Sequence, residues 1–160
     1  RDRDSFMAQL VIDVTKFANY CRKRDIQPCI RLNGTTDIRW ELILIDGKNI
    51  FELFPDVQWY DYTKIPNRKV SHLDNYHLTW GYSAANPKYE KLFDEVIRNG
   101  MSVAVVFRKP INLKTWRGYK VVDGDKDDLR FLDPKQSIVA LYAKGKAKKD
   151  NSGFVVDIAA

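Results

Sequence analysis

Cysteine is scarce in these 160 residues: Cys21 and Cys29 are the whole supply. Two thiols cannot build a disulfide framework or complete a zinc site. Cys21 falls at apolar spacing in a helix-like stretch and Cys29 opens an apolar run, so both read as buried thiols in a reducing cytoplasm. Histidine is equally rare. Four residues separate His72 from His77, so the His-apolar-His pair with which tyrosine-dependent nickases hold a metal is missing. No apolar run approaches the ~20 residues that cross a bilayer, which argues against a membrane partner. A glycine-rich dinucleotide fingerprint and a readable Ser-His-Asp triad are also lacking.

What is present describes a packed globule. Hydrophobic residues make up 44% and aromatics 12%, enough for one α/β domain over residues 1–160 and too apolar for disorder. The chain starts at Arg1 rather than a methionine and reads as a fragment or an N-terminally truncated form. The net charge of +6 favours polyanionic partners without naming one.

Phe6, Leu10, Val14, Phe17 and Cys21 recur at helical spacing after Asp4 and Ser5 as caps, and Arg22-Lys23-Arg24 suits a helix C-terminus. Cys29 to Leu32 reads as a strand. The stretch from Trp40 to Ile45 is a strand or a helix start before an Asp46-Gly47 turn, and Asn49 to Phe54 is a short helix stopped by Pro55. Val57 to Tyr62 and Tyr76 to Tyr82 are aromatic-rich strands. Pro87 opens an amphipathic helix closed by Asn99-Gly100, followed by a nearly all-apolar strand from Ser102 to Phe107. Lys120 to Val122 and Ser137 to Tyr142 complete the strands. Short apolar strands alternating with helices predict a single, largely parallel sheet of about six strands with flanking helices, open or a partial (β/α) barrel.

In such sheets the working groups gather beyond the carboxyl ends of the strands. That rule selects Asn33 and Asp37 after the first strand, Lys64 after the second, Arg108 after the fourth, Asp123 and Asp125 after the fifth, and Lys144 and Lys146 after the sixth. Asp37, Lys64, Asp123 and Asp125 are the candidate catalytic groups. Asn33, Arg108, Lys144 and Lys146 are candidates for holding phosphate or nucleic acid, because lysine and arginine suit phosphate oxygens. Asp123 and Asp125 suit Mg or Mn. An EF-hand is excluded, since Asp128 stands where its glycine belongs and Pro134 where its glutamate belongs. Lys144-Gly145-Lys146 is no phosphate loop either: position 140 is Ala and Ala147 follows Lys146. Tyr62 beside Lys64 could be a phenol of lowered pKa, a base stacker or a nucleophile. A polar turn and a solvated lysine run are the plain alternatives throughout.

Several phrases occur together: Arg31-Leu32-Asn33-Gly34-Thr35-Thr36-Asp37-Ile38, the segment from Phe54 to Lys64, Asn75-Tyr76-His77-Leu78-Thr79-Trp80, the segment from Asp123 to Pro134, and Ala143-Lys144-Gly145-Lys146-Ala147. Over most of its length the chain resembles a family of bacteriophage and plasmid proteins associated with rolling-circle replication. The family's longer members carry a cysteine-rich segment upstream of where this chain starts. The resemblance implies a protein of the host-cell cytoplasm that binds or acts on nucleic acid or nucleotides during DNA replication or modification. The alternatives are a non-catalytic DNA-binding module and a phage protein that binds a host protein. Convergence of Asn33, Asp37, Lys64, Asp123, Asp125 and Lys144 on one cleft is the sharpest expectation, and it is a geometric one.

Overall fold

A computed structural model describes residues 2–158. The chain begins with helix α1 (Arg3–Arg22), whose N-terminal amides are capped by Asp2 rather than by Asp4 or Ser5. The Asp2 carboxylate accepts from the Ser5 amide at 3.0 Å and from its hydroxyl at 2.6 Å, so Asp4 enters the first turn, where a carboxylate favours the helix dipole. The buried side chains of α1 are Met7, Val14 and Cys21. These recur every seventh residue and touch the core along one narrow seam. Phe6 and Phe17, expected inside, flank that seam and stay 46% and 39% exposed.

Strand β1 (Cys29–Ile30) is shorter than the apolar run that contains it, and Cys29 is only half-buried. Trp40 to Ile45 is neither strand nor regular helix. A 3-10 turn covers Trp40–Leu42, and Ile45 bridges Lys48 around Asp46 and Gly47, both at positive φ (49° and 82°), as a tight hairpin turn requires. Helix α2 (Ile50–Leu53) is a single turn held by a capping box between Asn49 and Glu52. Strands β2 (Gln58–Thr63) and β3 (Tyr76–Gly81) follow, then helix α3 (Pro87–Arg98), with Asn86 as its cap and Pro87 in its first turn. Gly100, at φ +93°, ends the helix, and a Cβ there would come within 2.7 Å of the Ser71 backbone. Glycine is therefore required at this position for two reasons.

Strand β4 (Ser102–Phe107) leads to a hairpin of β5 (Thr115–Trp116) and β6 (Tyr119–Asp123), and β7 (Ile138–Tyr142) closes the sheet. The order is β1-β2-β3-β4-β7-β6-β5, parallel except for the β5–β6 pair. The sheet is thus α/β and open, with β1 at one edge and β5 at the other. Strand β5 escaped sequence reading because Arg117-Gly118 is a weak turn signal, although both residues take positive φ.

Register separates the two faces, since residues paired in a parallel ladder point the same way. Trp59, Asp61, Tyr76, Leu78, Trp80, Val103, Val105, Phe107, Ile138 and Ala140 lie on one face and join Phe51, Phe93, Val96 and Ile97 in the core. Tyr60, Tyr62, His77, Thr79, Gly81, Ser102, Ala104, Val106, Val139 and Leu141 lie on the other. Among the described residues the cover of that second face is a loop rather than an α-helix. The face is crossed by the link between β6 and β7, whose 3-10 turn (Arg130–Leu132) packs on β2 and β3, with Phe131 5.5 Å from the Tyr60 ring. All six parallel strands end at the same edge. There the C-terminal segment pairs Val156 with Phe107. Among the described residues no helix is long and apolar enough to cross a membrane.

Candidate functional site

The loop after β1 is folded around one side chain. Asn33 is buried, and its Oδ1 accepts from the Thr36 hydroxyl (2.9 Å), the Ile38 amide (3.0 Å) and the Trp40 indole (3.0 Å). Its own amide donates to Asp61 Oδ1 at 2.7 Å. Asn33 is therefore saturated by the protein, and its contribution to a site is the shape of residues 34–37.

Beneath this loop lies a buried ionic network. Arg68 forks onto Glu41 at 2.9 and 2.6 Å, donates to the Tyr76 hydroxyl at 3.0 Å, and reaches Asp37 at 3.4 Å. Burial disfavours the Arg68 charge, but Glu41, Tyr76 and Asp37 together outweigh it and hold the guanidinium firmly protonated. Tyr76 in turn donates to Asp61 at 3.2 Å. Desolvation raises the Asp61 carboxyl to about 6, against the opposing pull of the Asn33 amide, the Tyr76 hydroxyl and Arg68. Asp37 sits at the outer end of the network, accepting from the Thr63 hydroxyl at 2.6 Å and the Lys64 amide at 2.7 Å. It locks the end of β2 to the loop after β1.

Above the network opens a cavity of about 500 Å³, the space between the loop after β1, the carboxyl ends of β2, β3, β4 and β7, and Phe154. Ala104, Val106 and Leu141 form an apolar floor. Tyr62 and Phe154 supply rings, Arg31 and Lys64 supply cations, and Gly34, Thr35, Thr36 and Asp37 form a polar lip, while Tyr82 borders the cavity with its ring packed in the core on Phe93 and Trp116. The amides of Gly34, Thr35 and Thr36 donate to no protein acceptor among the described residues. Lys64 lies across β3, its Nζ donating to the Gly81 carbonyl at 2.6 Å, and a Cβ on Gly81 would come 2.7 Å from that nitrogen. Among the described residues no carboxylate pairs with Lys64. The residue is exposed overall, yet desolvation of its ammonium lowers the pKa. Arg31 stands 5.0 Å from the centre of the Tyr62 ring and 3.3 Å from Asp128.

Tyr62 corrects one expectation. Its phenol is pushed up, not down, first by desolvation and then by the hydrogen bond it donates to Asp128 at 3.0 Å. A poised nucleophile needs the opposite shift; what Tyr62 presents to the cavity is a ring. Tyr82 is likewise raised to about 12, by desolvation and by its bond to Glu90.

Of the six residues expected in one cleft, Asn33, Asp37 and Lys64 line this cavity, whereas Asp123, Asp125 and Lys144 do not. Parallel strands did carry all six to one edge, but a sheet edge is wider than a cavity. Asp125 accepts from Lys144 at 2.8 Å and from the Tyr142 amide at 3.0 Å, and Asp123 accepts from the Asp125 amide at 3.0 Å. These carboxylates tie the end of β6 to the end of β7. Among the described residues no group of three or more His, Cys, Asp or Glu side chains is arranged to hold a metal ion. Arg108 is turned back on the protein: it chelates Asp157 at 2.9 and 3.1 Å and donates to the carbonyls of Lys148 (3.0 Å) and Asp150 (2.7 Å). Lys146 stays exposed outside the cavity.

Sequence reading missed Arg31, Tyr82, Phe154 and the floor. Arg31 and Tyr82 adjoin the ends of β1 and β3, so the strand-end rule would have reached them with slightly longer windows. Phe154 carried no local signal, because its position depends on the long-range pairing of Val156 with β4.

The profile of the Gene product 88 family matches residues 1–158, and the chain belongs to this phage-type family. No curated protein and no solved structure gives a significant match.

Proposed function

We propose that this member of the Gene product 88 family binds a nucleotide, free or as one unit of a nucleic acid, in the cavity at the carboxyl edge of its sheet. The observation that carries this reading is the pairing of an apolar, ring-bearing floor with a cationic lip whose Lys64 has no carboxylate partner among the described residues. A base needs flat apolar contact and rings to stack on, and its phosphate needs cations and free backbone amides. Ala104, Val106, Leu141, Tyr62 and Phe154 answer the first need. Arg31, Lys64 and the amides of Gly34 to Thr36 answer the second. Lys64 places a point charge on the phosphate side, and the intact Asp61–Asn33 strut keeps the lip preformed.

The biological setting that fits this reading is a phage-type protein handling DNA or its precursors in the host cytoplasm during replication, a setting carried by the cavity's chemistry and the chain's net charge of +6. A divalent Mg or Mn ion would enter this reading bound to the ligand's phosphate, with Asp37 as the nearest carboxylate. At Asp123 and Asp125 an ion would first have to displace Lys144.

Calorimetric titration with deoxynucleoside monophosphates tests the proposal. Binding to the native protein, weakened by Lys64→Gln and abolished by Ala104→Leu (which fills the floor), supports it. Equal binding by all three proteins, or none by the native one, overturns it. A second reading, a host-protein interface, draws on the exposed Phe6, Ile12, Phe17 and Tyr20 of α1. It requires a partner whose binding is lost in Phe17→Ser and indifferent to Lys64→Gln.

A further inference from the structure

The lysines outside the cavity are carried by a built platform. Gly145–Lys149 forms a 3-10 turn directly after β7, with Lys144, Lys146, Lys148 and Lys149 all exposed. A solvated lysine run usually hangs on a mobile tail; this one is clamped. Arg108 holds the turn from below through the carbonyls of Lys148 and Asp150, while Asp157 holds Arg108. Asp150 is spent inward, accepting from the Ser152 hydroxyl at 2.6 Å and the Val155 amide at 3.0 Å. Asp125 occupies Lys144 alone. The acids of this region are therefore consumed in fixing the turn, and among the described residues Lys146, Lys148 and Lys149 form no ion pair. A few residues further along, the same segment delivers Phe154 to the cavity wall. One short stretch of chain at the carboxyl edge of the sheet thus carries both the lysine turn and a ring of the cavity wall.

Resting on the nucleotide reading of the cavity, we infer that the ligand is a single strand of nucleic acid. One unpaired base enters the cavity, and the adjoining backbone phosphates lie over Lys146, Lys148 and Lys149. Charge complementarity selects a polyanion, and the cavity walled by the same stretch of chain selects one whose bases are free. A paired base cannot leave its stack for the floor without an unpairing cost, whereas an unpaired strand offers base and phosphate together. Each lysine placed on a phosphate releases a counterion, so the platform should appear as salt dependence.

The test compares thymidine monophosphate, an oligothymidylate of about 12 nucleotides and a duplex of equal length, titrated at several salt concentrations. The oligothymidylate is expected to bind roughly tenfold or more tighter than the monophosphate at low salt, and tighter than the duplex. In the triple variant Lys146→Gln, Lys148→Gln, Lys149→Gln, the log–log salt slope for the oligothymidylate should fall by about 2. An unchanged far-ultraviolet spectrum and melting temperature establish that the variant is folded. An oligothymidylate no tighter than the monophosphate, a duplex bound as well as the single strand, or an unchanged slope in the folded variant overturns the inference while leaving the cavity reading standing. Failure of the native protein to bind the monophosphate overturns the cavity reading itself.

Discussion

On one face of the sheet Trp59, Tyr76, Leu78, Trp80, Val103 and Phe107 pack against α2 and α3, and the polar groups at that depth are tied into the Arg68–Glu41–Tyr76–Asp61 network. On the other face Tyr60, Tyr62, His77, Thr79 and Ser102 stand at the same heights under a covering of loop. There His77 Nε2, Thr79 Oγ1, Ser137 Oγ and Arg130 Nε are buried without a hydrogen-bond partner among the described residues. The covering segment is held by ions and single hydrogen bonds: Arg130 to Asp127 (3.3 Å) and Asp133 (2.9 Å), Lys135 to the Leu73 carbonyl (2.9 Å), and Asp128 to Tyr62. Apolar burial is the larger stabilising term per residue, and the buried Arg130 charge loses to desolvation much of what its pairs with Asp127 and Asp133 return. Stability therefore resides on the first face, and the second, less tightly covered, keeps the room for a ligand.

The contrast breaks most visibly at the first face. Phe51, stacked on Tyr76 at 4.0 Å and fully buried, should cost about 3–5 kcal/mol as Phe51→Ala. Glu41→Gln, which leaves the Arg68 charge short of its partner, should cost a comparable amount. Both are read from denaturant midpoints. Losses below about 1 kcal/mol would place stability elsewhere.

Titration sharpens the comparison, because each face buries one group of opposite sense. Asp61 goes from 3.8 when unfolded to about 6 in the fold. Its proton-linked stabilisation is present below pH 3.8 and lost as pH rises through about 6. His77 goes from 6.5 to about 4, through burial and then the charges of Lys135 and Arg130. Its contribution is present above pH 6.5 and lost as pH falls through about 4. Each is on the order of 3 kcal/mol, and between pH 4 and 6.5 they oppose one another. Asp61→Asn should therefore leave a protein whose stability climbs with pH across that window, and His77→Gln one whose stability declines. Parallel profiles for the two variants would show that the buried charges are not where the structure puts them.

A smaller effect is expected where the second face has no room for even one methyl. A Cβ on Gly124 would lie 2.5 Å from Val139 Cγ1 and 2.9 Å from Leu141 Cδ2. Gly124→Ala should cost about 1–3 kcal/mol and, by shifting Leu141, weaken ligand binding as well; full retention of both would refute the tight floor. Smallest of all, Asp128→Asn should change the melting point little, since an exposed pair contributes under about 1 kcal/mol. It should still alter binding by freeing Arg31 and Tyr62, measured in the same titration.

Much of the first face could be read from the sequence. The alternating Trp59, Asp61 and Thr63, the unbroken apolar run of β4, and the Asn86-Pro87 and Asn99-Gly100 ends of α3 are local signals with local causes. So is the rule that parallel strands deliver polar residues to one edge, which placed Asn33, Asp37 and Lys64 beside the cavity. The second face was mostly illegible. Its cover comes from a crossover without an α-helix, its rim from Phe154 pairing beside β4, and its floor from Ala104, Val106 and Leu141, ordinary strand residues whose neighbours are set by register. The same applies to Asp125 and Lys144, which read as ligand groups one at a time and turn out to bind each other. Distance along an edge is a tertiary quantity, and no local pattern encodes it.

The central claim, that the cavity on the loosely covered face is a nucleotide site, is tested most directly by amide chemical shifts of the labelled protein titrated with thymidine monophosphate. The account predicts saturable shifts at Arg31, Gly34 to Asp37, Lys64, Tyr82, Ala104 and Phe154, with α3 and β5 unmoved. Shifts confined to α1 or α3, or none at saturating nucleotide, would contradict it.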